Sequence, residues 1–408
     1  MSIVLFLPHL DVSGGLGVHC RMLLTALQEV DSPHRFTVVS PASPQQLFPT
    51  TALEPWDRGH RPQLQKDRGT RFEYRELDIP AGFSLANALD PILGEIVAEV
   101  KPDLLYCSYY TGMQHPGCPQ VVSFHDAGFL ENPEGFGATA AIRHRTLQTI
   151  RPAISLIHCI SYDARDRICR HLHWEPAKTS VVWHALPDSV ELLAAAKAIP
   201  PDTIRLGSQT IAESSPYFFL PVGAATGFNR VRKNVPNAIR GFRMLPPGTA
   251  KLVIAGTAQL TETVLTELLS PTERGYIIDQ CWQSTDGRIV IVPTLERTEF
   301  LAAMHRASAV IYSSRYEGFG LPTLEAMALD VPLIASRATS IPEIVGNAGL
   351  LVDPDDVSAF RDAMLRVLNE PAFCKNLVER GRERVAQFTM QSLGTGMHDC
   401  WNLAIVVK

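Results

Sequence analysis

Short, unbroken apolar runs recur along this chain, and they constrain its fold more than any other feature. IVLFLP, FTVVS, LLYCS, QVVSFH, SLIHCIS and TSVVW lie in the first half. YFFLPV, KLVIAG, RIVIV, SAVIYS, VPLIAS and GLLV lie in the second. Each is bounded by polar or turn residues, which makes it a strand. Helix-like segments separate them, among them Val18–Val30, Ala86–Val100, Val235–Leu245, Glu296–His305, Pro322–Leu329 and Val357–Asn369. A strand that is apolar throughout must be covered on both faces. Parallel sheets with helices packed on either side meet that demand. The pattern predicts α/β architecture with two doubly wound domains.

The 408 residues suit two domains at roughly 100–200 residues each. The expected division is 1–190 for an N-terminal Rossmann-like domain, 191–216 for a linker marked by Pro-Pro and Ser-Ser-Pro, and 217–388 for a C-terminal Rossmann-like domain. Residues 389–408 form an amphipathic helix bearing Leu393, Met397, Trp401, Leu403 and Ala404, expected to pack back on the first domain. In open parallel sheets ligands bind beyond the carboxyl ends of the strands. Two such domains facing across a cleft put the loops after strands at the ligand.

Global properties exclude several classes. The formal net charge of -5 gives no basic footprint for nucleic acid. No apolar run reaches the roughly 18–20 residues of a membrane span, and MSIVLFLPHLD has neither the basic flank nor the cleavage site of a signal peptide. The eight cysteines form no C-x-x-C pair, as expected of free thiols in a reducing, cytoplasmic compartment. His171 and His173 stand two apart without a cysteine or carboxylate cluster beside them, a poor metal set.

The stretch SRYEGFGLPTLEAMALDVPLIAS, Ser314–Ser336, reads as the loop, helix and next strand that follow SAVIYS. Pro322 suits the first helical turn. Leu324, Met327, Ala328 and Val331 recur at helical spacing. The amides of Gly318, Phe319, Gly320 and Leu321 precede a helix N-terminus, which favours an anion. Glu317 and Glu325 flank the same loop, and bare carboxylates repel phosphate. A ligand carrying both a diphosphate and sugar hydroxyls satisfies both halves. The plainer alternative leaves Glu325 complementing the helix dipole and Glu317 solvated. A second loop, NRVRKNVPNAIRGF, places Arg230, Arg232 and Lys233 after YFFLPVGAATG. Cations there can neutralise a diphosphate leaving group, or form an ordinary solvated turn.

The combination of RKN after one strand and EGFGLPTLEAMA after another resembles the retaining glycosyltransferases of family four, which have the GT-B fold. Further segments agree in order along nearly the whole chain. GGLGVH (Gly14–His19) is similar to the family's first glycine-rich loop, and VVSFHDAGFLENPEGF (Val121–Phe136) to its His-Asp segment. ISLIHCISYDARDRI resembles its strand–Ser–helix unit, and IPEIVGNAGLLVDPDD (Ile341–Asp356) the segment after the signature helix.

The resemblance implies roles at matching positions. Glu317 would bind the donor sugar near the reacting carbon, and Glu325 the ribose. The Phe319, Gly320 and Leu321 amides would meet sugar and phosphates. Lys233 with Arg232 or Arg230 would grip the diphosphate; both arginines stay open for that role. The base would lie against Val292–Leu295, which includes Thr294 and Leu295. His125 would be the active-site histidine, with Asp126 orienting it or holding its loop. Gly14, Gly15 and Gly17 would bring backbone to the diphosphate. GGLG does not fit the dinucleotide fingerprint G-x-G-x-x-G. One departure stands out: where the family has Asn-Gly, this chain has VVWHALPD, with His184 and Ala185.

The reaction implied is metal-independent transfer of a hexose with retention, from a nucleotide sugar, UDP-glucose ahead of GDP-mannose, to a saccharide or lipid-linked saccharide, without a cofactor. Asp353-Pro354-Asp355 spells the D-x-D metal triplet of a different transferase fold, but at the start of a helix acids serve as caps. Arg143, Arg145 and Arg151 flank a helix whose basic face would meet solvent, or an anionic lipid at the inner face of a membrane. Two competing classes are a sugar-nucleotide epimerase or hydrolase on the same fold and a non-catalytic nucleotide-sugar-binding protein.

Overall fold

The computed structural model describes the chain except residues 11–14, 42–70, 80–82, 84–87, 137, 187–188, 201–204, 207–208, 211–215, 223–231, 258–260, 262–264, 266–268, 270–271, 279–280, 294 and 408. The chain forms two units: Met1–Ala185 with Met390–Lys408, and Leu186–Thr389.

The first unit is built on β1 (Ser2–Phe6), β2 (Arg35–Pro41), β3 (Phe72–Leu77), β4 (Leu104–Cys107), β5 (Gln120–Phe124), β6 (Leu156–Cys159) and β7 (Thr179–Val181). They lie in the order β3-β2-β1-β4-β5-β6-β7, and every pairing is parallel. The central strands β1, β4, β5 and β6 are almost wholly buried, as continuous apolar runs require. β3 is absent from the sequence expectation. FEYREL is charged and half-exposed because it is an edge. Its Arg75 pairs with Glu73 and Glu99, each at 2.7 Å, and charge on an edge discourages further strand pairing.

The second unit contains a short antiparallel hairpin, β8 (Arg205–Leu206) with β9 (Gln209–Thr210). Its main sheet comprises β10 (Tyr217–Pro221), β11 (Lys251–Thr257), β12 (Gly275–Ile278), β13 (Cys281–Ser284), β14 (Ile289–Pro293), β15 (Ala309–Tyr312), β16 (Leu333–Ser336) and β17 (Leu350–Val352). The order is β12-β13-β14-β11-β10-β15-β16-β17. All pairs are parallel except β12–β13 and β13–β14. That antiparallel extension lies outside the sequence expectation, because GYII and CWQS are short and mixed in polarity.

Helix Val235–Arg243 packs against helix Val357–Asn369 so closely that a Cβ at Gly241 would stand 2.8 Å from Phe360 Cβ. Residues 191–216, expected as a linker, lie in the second unit. Ser189–Ala198 is a helix there, and Arg306 donates to the carbonyls of Ala196 (3.1 Å) and Ile199 (2.7 Å). Ala-rich sequence without Gly or Pro favours helix over linker.

The last helix, Met390–Val406, buries Leu393, Met397, Cys400, Trp401 and Ala404 on the first unit. It lies against helix Gly15–Glu29: a Cβ at Gly394 would come within 2.7 Å of the Ala26 carbonyl. Leu403, expected in the apolar stripe, is 37% exposed, one residue off the buried face. No helix of the described residues is long and apolar enough to cross a membrane.

Candidate active site

In the second unit the loop after β15 carries the signature. Gly320 adopts φ +100, a left-handed conformation that glycine enters without a Cβ penalty. It is the residue before helix Leu321–Ala328, whose first turn contains Pro322. Thr323 Oγ1 donates to the Gly320 carbonyl at 2.7 Å and fixes the turn. Phe319 points its ring into the core, edge-on to Phe388 at 6.0 Å. The ring is therefore turned away from solvent, and only the backbone of Phe319 is left to serve the contact expected of it.

The segment 337–341 clamps this loop. Thr339 Oγ1 accepts from the Glu317 amide at 2.9 Å. Ser340 Oγ lies 2.9 Å from the Glu317 carbonyl and 3.2 Å from that of Phe319. Neither residue stood out in the sequence, although a Ser-Thr pair before a helix offers side-chain hydroxyls to nearby backbone.

Glu317 is 7% exposed. Lys233 Nζ donates to its Oε1 at 2.8 Å and Arg232 Nη1 to its Oε2 at 2.9 Å. Burial by itself raises a carboxyl, but Lys233 and Arg232 overcome it and hold Glu317 at about 2. Burial draws the Lys233 ammonium below the usual lysine range, and Arg232 adds to that, against the pull of Glu317. Nζ also lies over the Tyr312 ring, 5.0 Å from its centroid. The basic loop is fixed by its backbone: Arg315 N–H donates to the Arg232 carbonyl (2.7 Å) and Ser313 Oγ to the Lys233 carbonyl (2.8 Å). Asn234, at φ 52, donates to the Pro354 carbonyl at 2.7 Å and turns the chain into helix Val235–Arg243. Sequence distance concealed these links, since the partners stand between 80 and 120 residues apart.

Glu325 is buried on helix Leu321–Ala328 and accepts from Arg297 Nη2 at 2.6 Å. Arg297 opens the helix after β14 and was not singled out in the sequence. Leu295 is half-buried just before it. Of the expected site, Gly14, Arg230 and Thr294 lie outside the described residues. Gly15 and Gly17 begin helix Gly15–Glu29.

The D-x-D triplet is a turn and cap. Asp353 Oδ1 accepts from the Asp355 amide at 2.8 Å, Asp355 pairs with Arg315, and Asp356 caps helix Val357–Asn369 through Ala359 N–H at 2.9 Å.

In the first unit His125 directly follows β5 and is buried. The Asp126 side chain accepts from the Gly128 amide at 2.8 Å, and Tyr110 OH bonds the Asp126 backbone. The Asp126 side chain thus ties down the start of the helix that follows. Around His125 the fold gathers His19, from the first helix, and His184, just beyond β7. Ring centroids are 4.4 Å apart for His19–His125, 5.0 Å for His19–His184 and 5.6 Å for His125–His184. Burial, with the neighbouring histidines, pushes His19 and His125 well below the usual histidine range, and His184 to about 3. Burial takes His158 to about 4. All four are therefore neutral at physiological pH.

Of the three arginines expected on a basic face, Arg145 and Arg151 are exposed and Arg143 is half-buried. The Arg143 guanidinium sits 4.7 Å from the Tyr109 ring centroid and that of Arg151 5.1 Å from the Trp174 ring. Cation–π attraction holds these two on the protein. All eight cysteines are free.

Two Rossmann-like domains, one with a buried carboxylate–cation cluster beside a glycine-turned helix start, define a GT-B glycosyltransferase. Solved structures agree in fold. Sucrose-phosphate synthase from Thermosynechococcus elongatus gives a TM-score of 0.67 at 18% identity over 100% of both chains. Anabaena HepE in complex with UDP-glucose gives 0.65 at 14% identity, covering 98% of this chain and 99% of that one. A family model for glycosyl transferases group 1 matches residues 219–384, and one for Glycosyltransferase Family 4 matches residues 13–189. The two models take up both halves of the chain, which belongs to the family-four glycosyltransferases. It is an enzyme of the hexosyltransferase class.

O-antigen chain mannosyltransferase B of Escherichia coli is 29% identical over 291 residues, covering 69% of this chain and 70% of that one. A glycogen synthase of Mycobacterium tuberculosis is 35% identical over 162 residues, 39% of this chain and 36% of that one.

Proposed function

We propose that this enzyme transfers a hexose, with retention of anomeric configuration, from a nucleotide sugar to a saccharide or lipid-linked saccharide in polysaccharide synthesis. The observation that carries the reading is the Glu317 carboxylate held between Lys233 and Arg232. A diphosphate takes the two cations, and the carboxylate so released accepts hydroxyls of the sugar. Lys233 and Arg232 then stabilise charge on the departing nucleoside diphosphate. Glu325 serves the ribose hydroxyls, His125 the donor sugar, and the backbone at Gly320 and Leu321 the phosphates. Most of the catalysis is positioning and electrostatic stabilisation, with no metal cofactor and no covalent intermediate.

GDP-mannose is the donor of the first reading, supported by the mannosyltransferases that recur among the relatives, including O-antigen chain mannosyltransferase B. UDP-glucose is the second reading, supported by fold likeness to HepE, whose structure holds UDP-glucose. The cytoplasm, where nucleotide sugars are at hand, is the compartment proposed.

A thermal-shift series with GDP, UDP and ADP and their sugars, followed by turnover of the stabilising donor, tests the reading. Ligand binding raises stability by mass action. Stabilisation by GDP-mannose and its conversion with an oligosaccharide acceptor are expected. No shift with any nucleotide sugar would overturn the proposal, and release of an epimer or free sugar alone would favour an epimerase or hydrolase.

A further inference from the structure

The histidine cluster has a geometry that general folding does not require. His19, His125 and His184 come from three separate elements, are all buried, and each brings a ring nitrogen within 4.8 Å of the others. His125 Nε2 is buried without a hydrogen-bond partner among the described residues.

A chain of hydrogen bonds behind the cluster fixes the tautomer of His19. The Val182 carbonyl can only accept, so His158 Nε2, 3.3 Å away, carries its proton. His158 Nδ1 is then bare and accepts from Tyr106 OH at 3.1 Å. The Tyr106 oxygen in turn accepts from His19 Nε2–H at 3.2 Å. His19 Nδ1 is left as an acceptor and takes a hydrogen bond from His184 Nε2–H at 3.0 Å, a proton that a metal ion would replace. Fixing one ring nitrogen by a bond to the other is what outer partners do for metal-bound histidines.

We propose that His19, His125 and His184 form a binding site for one divalent transition-metal ion of the zinc type. Tetrahedral coordination with metal–nitrogen distances of about 2.0–2.1 Å places ligand nitrogens about 3.3 Å apart. The His19–His184 pair is already near that spacing and opens slightly, while His125 closes in. Three neutral imidazoles suit zinc, cobalt, nickel or copper, and not magnesium or calcium, which take oxygen ligands. The fourth position takes water or hydroxide. The site lies wholly in the first unit and adds no step to transfer, but it shares His125 with the proposed donor contact. A bound ion would claim His125, so loading is expected to slow turnover.

Full-length protein freed of metal and titrated with Co2+ tests this. One equivalent is expected to bind and give the intense visible bands of a four-coordinate ion. Zn2+ should displace it and excess Mg2+ or Ca2+ should not. His184→Asn and His19→Gln should each weaken Co2+ binding by more than about 100-fold, beyond the 10–100-fold range for loss of an outer partner. Tyr106→Phe should fall within that range, and His171→Asn should change nothing. X-ray absorption of the Co2+-loaded wild type should show three imidazoles and needs no variant to fold. No visible bands, fewer than three imidazoles, or unchanged affinity in His184→Asn and His19→Gln would overturn the proposal.

Discussion

Lys233 Nζ lies 2.8 Å from Glu317 Oε1 across 84 residues of sequence. The lysine stands just before the helix after β10, and the glutamate sits in the loop after β15, the strand beside β10 in the sheet. Adjacent parallel strands deliver their following loops to the same edge. The pair thus follows from sheet order, and each partner keeps the other in its charged form.

Glu317→Gln removes the carboxylate while preserving its size. The turnover number should fall by about 10²-fold or more, the scale for loss of an electrostatic contact to the reacting group. Single-turnover measurements with saturating donor separate this from binding. A turnover number within a few-fold of wild type would remove Glu317 from the chemistry.

The same carboxyl makes a pH prediction. It titrates at about 2 in the folded protein against an ordinary value of 4.5. As pH falls, the unfolded chain takes up this proton first. The stabilisation is therefore complete above pH 4.5 and fades as pH drops toward 2, with a full size on the order of 3 kcal/mol. Urea midpoints of wild type and Glu317→Gln should differ at pH 6.5, differ by less at pH 3, and converge only as pH approaches 2. A gap independent of pH would contradict the charged pairing.

Glu325 should behave differently, because the role proposed for it is binding the ribose. Glu325→Gln should weaken donor binding roughly tenfold, about 1.4 kcal/mol, and leave the turnover number nearly unchanged. Arg297, whose side chain is half-exposed, forms a pair of the kind that contributes little. Arg297→Ala should shift donor KM by less than about threefold. Initial-rate kinetics on both variants decide the matter, and a selective loss of turnover in Glu325→Gln would reverse the assignment.

Gly394 reports on the C-terminal helix. A side chain there meets the Ala26 carbonyl and Val30. Gly394→Val should cost about 1–3 kcal/mol through overpacking. Thermal unfolding should show a lower midpoint for the unit that holds this helix. An unchanged midpoint would place the helix elsewhere in solution.

The sequence alone determined the parallel α/β class, because strands buried on both faces must be apolar at every position. It also marked Glu317, Glu325 and Lys233, since loops after such strands carry ligand chemistry and these residue types suit it, whereas His125 was marked only by the family resemblance of its His-Asp segment. Tertiary structure decided the rest. β3 escaped notice because an edge strand has no apolar requirement to leave in its sequence. The hold of Arg232 and Lys233 on Glu317, the reach of Arg297 to Glu325, and the clamp by Thr339 and Ser340 depend on which strands are neighbours. The meeting of His19, His125 and His184 depends on the order β1-β4-β5-β6-β7 and on the helix that crosses from β1 to β2. Local sequence carries periodicity and turn chemistry, and sheet order arises only when distant segments compete to bury the same apolar faces.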